Sequence, residues 1–495
     1  MPFSDPPDAS RIDVRTRQTA VPCPNPLAAY LALRPIFGAA GVYLLESLSG
    51  PASDRRSATV GFQPLLEISV RRGAVEVTGV AAVRDKAVAA GIGTGTLVET
   101  SDGLRLPDDP ALWGFVRAVQ ARFDTGGTPQ PGLGFLTFLG YDAVRYLEKL
   151  PYVIEDPDGP PDVTFVLYQG QVHVDLRDNS ARLLVHESPD WPGLDLTAVT
   201  AALTAAPEPD AGLPPVPRPR SISDSTSEDA YVADVARCLH HIGVGDIYQI
   251  QIGHELCIES DVDELTIYRR LRQRNPSPYM CLLPIAGRTL IGSSPELFVR
   301  VEGDAIAMRP IAGTTSRGAD EVENERRVAA LRADDKEIAE HVMLVDLCRN
   351  DLGRICRADT VEVDEMMVVE DFSHVFHLVS NVTGRLEPDT DAYDVITATF
   401  PAGTMTGAPK IRAMEIIEAT ESSRRGLYAG AFGHIDFSGE MVLALSIRAV
   451  VGDGTGYRTR ASAGVVADSV PSREWRETLA KMSAAVWAVT GEELL

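Results

Sequence analysis

The chain has 495 residues, 44% of them hydrophobic, which is typical of a globular protein too long for one simple core. Its formal net charge of -24 argues against non-specific binding to nucleic acid or anionic membranes, because both favour basic surfaces. No apolar run is long enough to span a bilayer, and the polar start MPFSDPPDAS lacks a signal-peptide segment, so we expect a cytoplasmic protein.

Mixed secondary structure is predicted before the first apparent boundary. Alternating apolar residues predict a strand at 163–176, and helical spacing of apolar residues predicts a helix at 109–123. The next stretch is rich in Pro, Ser and Asp, which predicts a linker or surface loop over 206–227. The chain therefore divides into an N-terminal α/β region, 1–205, and a C-terminal region, 228–495.

After the linker, a helix is predicted to run into a strand over 228–256, and successive strands follow over 288–310. A long helical stretch is predicted at 320–352, and a hairpin-like pair of strands at 430–451. This order of elements assigns the chain to the α+β class, with large sheets and packed helices.

The cysteines are widely separated along the chain. They are Cys23, Cys238, Cys257, Cys281, Cys348 and Cys356. None forms a C-x-x-C pair or lies in a G-x-C-x-G turn, so we expect reduced structural thiols. For the same reason we expect no cysteine-centred site for glutamine hydrolysis in this chain.

Two pairs of carboxylates have the spacing that places both members on one face of a helix. They are Glu337 with Glu340, and Glu474 with Glu477. Either pair alone is most simply a solvated helix face. Together they could converge on Mg²⁺, an ion that takes oxygen ligands and often contacts an anionic substrate as well.

Three further features have both a structural and a functional interpretation. His377, among apolar residues, is either a core histidine or a general base. Arg448 lies within an apolar strand and needs a buried partner or a bound anion; the small residues of ASAG favour the anion. The stretch FPAGTMTGAPK, 400–410, is either a loop before a helix or an anion site built on glycines and a helix N-terminus.

Six motifs carry a family resemblance. In order they are RPIAGTTSRG, AEHVMLVDLCRNDLGRI, SHVFHLVS, FPAGTMTGAPKIRAMEII, RRGLYAGAFGHIDF and ASAGVVADSVPSREWRETLAKM. They resemble the chorismate-utilising enzymes, above all the large subunit (component I) of anthranilate synthase. The resemblance covers 228–490 and is thinner before it, at YLLESLSG and GFLTFLGYDAVRYLEKLP. It implies a large β/α sandwich of two intertwined subdomains with the active site in a cleft.

Two positions distinguish members of this family by their nucleophile. Water-using members carry a Lys where this chain has Gln249, and a neutral amide cannot act as a general base for water. Aminodeoxychorismate synthases carry a nucleophilic Lys where this chain has Ala312. The resemblance therefore implies that ammonia attacks C2 of chorismate while the C4 hydroxyl leaves, and that loss of pyruvate then gives anthranilate.

The resemblance also implies roles for individual residues. Glu296 is the general acid for the leaving hydroxyl, and His377 takes the C2 proton. The implied ligands of the Mg²⁺ cofactor are Glu340 and Glu477, with Glu337 and Glu474 nearby or acting through water. Residues implied to line the chorismate site are Gln249, Ala312, Gly313, Thr314, Thr404, Tyr428, Arg448, Ser462, Ala463, Gly464 and Lys481.

A partner and a regulator are implied as well. Because the chain lacks a glutaminase motif, a separate glutamine amidotransferase subunit (component II) is expected to deliver ammonia. LLES and NPSPYM resemble the two segments of a tryptophan feedback site, with ordinary subdomain packing as the alternative. The residues implied to line that site are Glu46, Ser47, Tyr279 and Met280.

Departures from the family pattern leave two alternatives open. Thr315 replaces an Arg of G-T-R-x-R-G, Ser462 replaces a Gly of A-G-A-G, and QIGHEL replaces a strand that ends in S-Q-R-F, which removes another Arg. The chain could therefore stop at 2-amino-2-deoxyisochorismate without eliminating pyruvate, although His377 favours the full reaction. A catalytically silent, amino-acid-sensing subunit is the other alternative, and the four glutamates and His377 argue against it.

Overall fold

The computed structural model describes five segments of the chain: 10–22, 25–51, 53–209, 212–372 and 375–494. Cys23 and residues 210 and 211 of the predicted linker lie outside the described residues. The other five cysteines are free. Within these segments, no helix combines the length and apolar character needed to cross a membrane.

Helices occur along the whole length of the described segments. The α-helices are α1 (Pro26–Phe37), α2 (Ala81–Gly93), α3 (Ala111–Gln120), α4 (Leu196–Thr204), α5 (Glu228–Gly243), α6 (Glu264–Arg274), α7 (Glu321–Arg332), α8 (Asp335–Leu352), α9 (Ala392–Thr399), α10 (Lys410–Thr420) and α11 (Pro471–Thr490). Short 3₁₀ helices lie at Ala39–Gly41, Tyr141–Tyr146 and Gly403–Met405.

Strands lie between these helices, in several places two or more in succession. They are β1 (Ile12–Asp13), β2 (Arg15–Ala20), β3 (Val42–Glu46), β4 (Ser57–Arg71), β5 (Ala74–Gly79), β6 (Val98–Thr100), β7 (Gly103–Arg105), β8 (Phe123–Asp124), β9 (Gly134–Leu139), β10 (Val163–Asp175), β11 (Ser180–Glu187), β12 (Ser221–Asp224), β13 (Gln249–Glu259), β14 (Tyr279–Ile285), β15 (Arg288–Ser294), β16 (Leu297–Glu302), β17 (Ala305–Met308), β18 (Ile311–Ser316), β19 (Glu362–Phe372), β20 (Val375–Arg385), β21 (Gly407–Ala408), β22 (Ala431–Asp436), β23 (Met441–Leu445), β24 (Ala449–Gly452) and β25 (Tyr457–Val465). The α+β class is confirmed.

The long strands β4 and β10 pair antiparallel and connect two runs of strands. One run continues from β4 through β3, β14, β15, β24 and β25 to β13 and β12. The other continues from β10 through β9, β22, β23, β16 and β17 to β20. Strands of the N-terminal region therefore pair directly with strands of the C-terminal region, so the two regions are interlocked.

Two predicted elements differ in detail from the structure. The predicted helix at 320–352 is two helices, because Asp334 interrupts it and its side chain accepts hydrogen bonds from the N–H groups of Lys336 and Glu337 at the start of α8. The predicted linker is not loop throughout, since its last part forms β12, where Ser221 pairs with Glu259 of β13. The division into 1–205 and 228–495 stays a prediction.

Alternation along β13 and β25 positions the site. Ile250, Ile252 and Val465 belong to a buried apolar cluster with residues of α5 and α10. Because successive side chains of a strand point to opposite faces, the intervening residues of both strands face away from that cluster. Those residues include Gln249 and Gln251 of β13, and they form one wall of the candidate active site.

Candidate active site

The wall formed by β13 and β25 is tightly packed around Gly464. Gln251 pairs with Gly464 across the two strands. A Cβ at Gly464 would lie 3.0 Å from Gln251 Nε2 and 3.2 Å from both Gln249 Nε2 and Glu340 Oε1. A side chain at position 464 would therefore crowd these three side-chain ends, and the glycine lets the Glu340 carboxylate approach the strand closely.

One residue predicted for this wall points elsewhere. Ala463 pairs with Ile252 and is fully buried, at 0% exposure. By strand alternation its methyl group lies on the core face, opposite Ser462 and Gly464. Only the backbone of Ala463 is available to a ligand, so a role in substrate binding would be one for its backbone, and that role stays a prediction.

The four glutamates predicted from helical spacing, Glu337, Glu340, Glu474 and Glu477, form an acidic quartet on α8 and α11. Burial, and then the carboxylates of Glu337 and Glu477, raise the pKa of Glu340 to about 7. Burial also raises the pKa of Glu337 and of Glu474, and Glu477 adds to both effects. The carboxylates of the quartet thus repel one another, and Glu477 raises the pKa of each of the other three.

The quartet is partly neutralised from within the protein. Lys481 Nζ lies 2.7 Å from Glu477 Oε1, and Gln249 Nε2 donates to Glu340 Oε1 at 3.0 Å. Among the described residues, no three His, Cys, Asp or Glu side chains are close enough together to hold a metal ion as they stand. The donor set is nevertheless all carboxylate oxygen and has excess negative charge, which fits Mg²⁺. The predicted ligand set stays a prediction.

Glu296 follows β15 and is buried beside the 3₁₀ turn at Gly403–Met405. Burial raises its pKa to about 8, although the nearby Thr404 hydroxyl, the Ile311 backbone and Lys481 act in the opposite direction. The Glu296 carboxyl is therefore mostly protonated at neutral pH. A protonated carboxyl can donate a proton to a leaving hydroxyl, as the sequence predicts for this residue.

His377 on β20 pairs with Thr314 on the neighbouring strand β18, which also carries Ala312. Its Nδ1 lies 3.3 Å from the Gly313 carbonyl oxygen and 3.0 Å from Thr314 Oγ1. A carbonyl only accepts, so Nδ1 carries the proton and Nε2 keeps its lone pair. Burial, and then the Arg448 guanidinium, lower the pKa of His377 to about 4. His377 is thus a neutral but weak base.

The remaining polar groups form a connected set. The guanidinium Nη1 of Arg448 donates to the Lys481 backbone carbonyl at 3.2 Å, and Lys481 Nζ donates to the Ser462 backbone carbonyl at 2.8 Å. Tyr428 OH and Ser462 Oγ lie 2.6 Å apart. Arg448 adopts φ of 52°, a left-handed conformation that is uncommon and costly for a non-glycine residue.

Gln249 Oε1, a buried polar atom of the site, has no hydrogen-bond partner among the described residues. Buried polar groups are normally paired, and leaving one unpaired is costly. The Gln249 carbonyl therefore points to a polar ligand in the cleft that offers it a donor. Thr404 Oγ1 is different, because it lies close enough to the Glu296 carboxyl to lower the pKa of that group through a hydrogen bond.

The stretch FPAGTMTGAPK does not offer its lysine to an anion, as one of its two predicted interpretations would require. Helix α10 begins at Lys410, but Lys410 Nζ is bound to buried Asp351 at 2.8 Å and to the Thr399 carbonyl at 3.2 Å. The lysine is therefore not free for an anionic ligand. What the stretch offers to the cleft is Thr404 beside Glu296.

Sequence reasoning missed two residues here. Gln251 lies two positions after Gln249 on β13, so the period of a strand would have placed it on the same face. Asp351 gave no local signal, because its partner Lys410 is 59 residues away in the chain.

The four residues predicted for a feedback site come together elsewhere. Glu46 pairs with Met280 between β3 and β14. Together with Ser47 and Tyr279 they line a cavity of about 650 Å³. The Glu46 carboxylate already accepts from Tyr268 OH, and from Arg272 Nε at 2.6 Å. The four residues therefore share one cavity, and their regulatory role stays a prediction.

The chain is similar in sequence and in fold to known proteins. A family model described as chorismate binding enzyme matches residues 79–486. The chain is similar to 2-amino-4-deoxychorismate synthase of Streptomyces globisporus, at 54% identity over 98% of each chain. It is similar to anthranilate synthase component 1 of Haloferax volcanii, at 39% identity over 94% of this chain and 91% of that one. The crystal structure of anthranilate synthase component I from Streptococcus pneumoniae TIGR4 matches with a TM-score of 0.71 and 30% identity, covering 87% of this chain and 92% of that chain.

Proposed function

Because the chain belongs to the chorismate-binding enzyme family, as its motifs predict, we propose that it joins ammonia to chorismate and releases 2-amino-4-deoxychorismate. This compound is the 2-amino-2-deoxyisochorismate considered above under its other name: an amino group is added at C2, the C4 hydroxyl is lost and the enolpyruvyl group is kept. The observation that carries the proposal is the relative of that name, 54% identical over 98% of both chains, against 39% for the anthranilate synthase component of Haloferax volcanii.

Gln249 suits ammonia as the nucleophile. Its Nε2 is anchored on Glu340, which leaves the unpaired Oε1 as an acceptor in the cleft. An amide oxygen can accept an N–H of ammonia and so orient its lone pair toward C2, and it does so without acting as a base. Water would need a general base at this position, and an amide cannot serve as one.

Glu296 suits the departure of the C4 hydroxyl. In its protonated form it donates a proton to the leaving oxygen, so that water rather than hydroxide departs. Bound Mg²⁺, held by Glu340 and Glu477 with Glu337 and Glu474 beside them, would neutralise the ring carboxylate. Arg448 and Lys481 supply positive charge for the enolpyruvyl carboxylate.

The test is a product assay on the purified chain with chorismate, Mg²⁺ and ammonium. We expect an amine product that retains the enolpyruvyl group by mass, with little pyruvate beside it, because the proposed reaction ends before elimination. Anthranilate and pyruvate in equal amounts would contradict the proposal. No product at all would favour a silent sensing subunit.

Anthranilate synthesis is the second candidate, and the geometry of His377 favours it. Its Nε2 lone pair is available to remove the C2 proton. If anthranilate is the wild-type product, His377→Met should lower pyruvate release about 10²–10⁴-fold and accumulate the amine intermediate. Release of pyruvate at the wild-type rate in this variant would show that His377 is structural.

We propose that a glutamine amidotransferase subunit supplies the ammonia in the cell. None of the five described cysteines is activated: burial raises the pKa of Cys238, Cys257, Cys281, Cys348 and Cys356. The isolated chain should therefore turn over with ammonium salts, better at raised pH where more free ammonia exists, but not with glutamine. Glutamine-dependent turnover of the chain alone would rule this out.

Tryptophan is proposed as the ligand of the cavity beside Glu46. Its amino group would compete with Arg272 for the Glu46 carboxylate, and its indole would pack on Met280. We expect millimolar tryptophan to inhibit the wild type, and Glu46→Gln to be less sensitive. Glu493→Gln, which changes an exposed glutamate paired with Arg274, is the matched control and should keep the wild-type sensitivity. A wild type that is insensitive to tryptophan would remove the feedback role.

A further inference from the structure

A chain of three side chains lies in the wall formed by β13 and β25, beside Lys481. Tyr428 OH is 2.6 Å from Ser462 Oγ, and Ser462 Oγ is 3.2 Å from Gln251 Oε1. Ser462 and Gln251 are buried, and they belong to the neighbouring strands β25 and β13. We name this set the Tyr428 chain.

The direction of the hydrogen bonds in the Tyr428 chain follows from counting protons. The Gln251 carbonyl oxygen can only accept, so Ser462 donates its single hydroxyl proton to it. Ser462 Oγ then accepts from Tyr428. The one proton of the Tyr428 hydroxyl is thereby used within the protein, and toward a ligand Tyr428 presents only lone pairs.

The hydroxyl of Ser462 occupies a position that the neighbouring strand accommodates. Ser462 pairs directly with Gly253, and a Cβ at Gly253 would lie 2.4 Å from the Ala461 carbonyl oxygen and 3.0 Å from Ser462 Cβ. The absence of a side chain at Gly253 leaves room for the Ser462 side chain on this face of the strand pair, where its hydroxyl reaches Tyr428.

The consequence concerns the step that would follow amination. In that elimination a base takes the C2 proton, the C3–O bond breaks with its electrons passing to oxygen, and the departing enolpyruvate is protonated to pyruvate. Negative charge builds on the departing group, and a positioned hydrogen-bond donor there is worth about 10²–10³-fold in rate. A tyrosine hydroxyl that only accepts cannot provide this stabilisation.

We propose that Ser462 is a specificity-determining residue that withholds the Tyr428 proton from the enolpyruvyl group and so keeps that group on the product. The inference rests on the proposed function. Gln251 takes part as a positioning residue, because it fixes the direction in which Ser462 donates. Arg448 and Lys481 still bind the enolpyruvyl carboxylate in this arrangement.

The experiment measures a ratio, pyruvate released per amine product formed, so that changes in overall turnover cancel. Pyruvate is followed with lactate dehydrogenase and the amine by mass spectrometry. Ser462→Ala removes the hydroxyl but keeps Cβ, and should raise the ratio by at least about tenfold, because it frees a donor of the kind whose loss elsewhere costs 10²–10³-fold. Gln251→Leu should raise it as well, since Ser462 can then donate to Tyr428 instead.

Tyr428→Phe supplies the matched control. Alone it should leave the ratio near the wild-type value, and combined with Ser462→Ala it should cancel the increase, because the gain depends on the Tyr428 proton. An unchanged ratio in both Ser462→Ala and Gln251→Leu would overturn the inference while leaving the proposed function intact. If the wild type itself makes anthranilate and pyruvate in equal amounts, the proposed function fails, and this inference fails with it.

Discussion

Replacing Glu340 or Glu477 by glutamine should lower turnover by more than about 100-fold at saturating Mg²⁺, since changes merely beside a metal ligand already cost 10–100-fold. Glu477 influences the pKa values of the other three members of the acidic quartet, and Glu340 lies against Gly464 in the strand wall. A neutral amide removes the charge that would attract the cation while preserving the shape of the side chain.

The measurement has two parts, turnover and calorimetric titration of Mg²⁺ in the absence of chorismate. Both variants should bind Mg²⁺ more weakly than the wild type, and circular dichroism should show that the fold survives. Glu325→Gln, which changes an exposed glutamate of α7, should match the wild type in both assays. Full activity of Glu477→Gln in the presence of EDTA would remove the metal role of the quartet.

Glu296→Gln should lower the rate of amination by about 10²–10⁴-fold, the usual cost of losing a positioned proton donor. The amide has the same size and still accepts hydrogen bonds, but it cannot give a proton to the C4 oxygen. Binding of Mg²⁺ should be retained, because Glu296 is not a member of the quartet. Wild-type turnover in this variant would require another acid.

The pH dependence of the same step has a definite sign. Because the pKa of Glu296 is raised to about 8, its acid form is present below that pH and is lost above it. The wild-type rate, divided by the concentration of free ammonia, should therefore fall as pH rises through about 8. Glu296→Gln should lack this descending limb, and a wild-type profile that stays flat to pH 10 would contradict the assignment.

Local patterns in the sequence were sufficient to predict many of the helices and strands and the positions of several candidate site residues on them. Helical spacing of Glu337 and Glu340 placed both on α8, and strand alternation predicted β10. The break before α8 was missed, because apolar spacing continues through Asp334 while its capping side chain starts a new helix. Periodicity describes which face a residue occupies, and says little about where an element ends.

Contacts between distant segments could not be predicted in this way. The direction of Ala463 depends on its pairing with Ile252, and the role of Ser462 depends on Tyr428 and Gln251. These partners come from separate parts of the chain. No single stretch of sequence contains the information about these contacts.

The interlocking of the two regions limits how this enzyme can be divided. Strand β3 supplies an edge to β14, and β9 supplies one to β22, so each part alone would expose unpaired backbone groups along the strands it normally shares. Such edges promote aggregation, which makes the part before the linker unsuitable as a module to be exchanged between relatives by simple fusion. A chimera that changes the cavity beside Glu46 would need to keep the paired residues of β3 and β9 and to replace only the side chains that line the cavity.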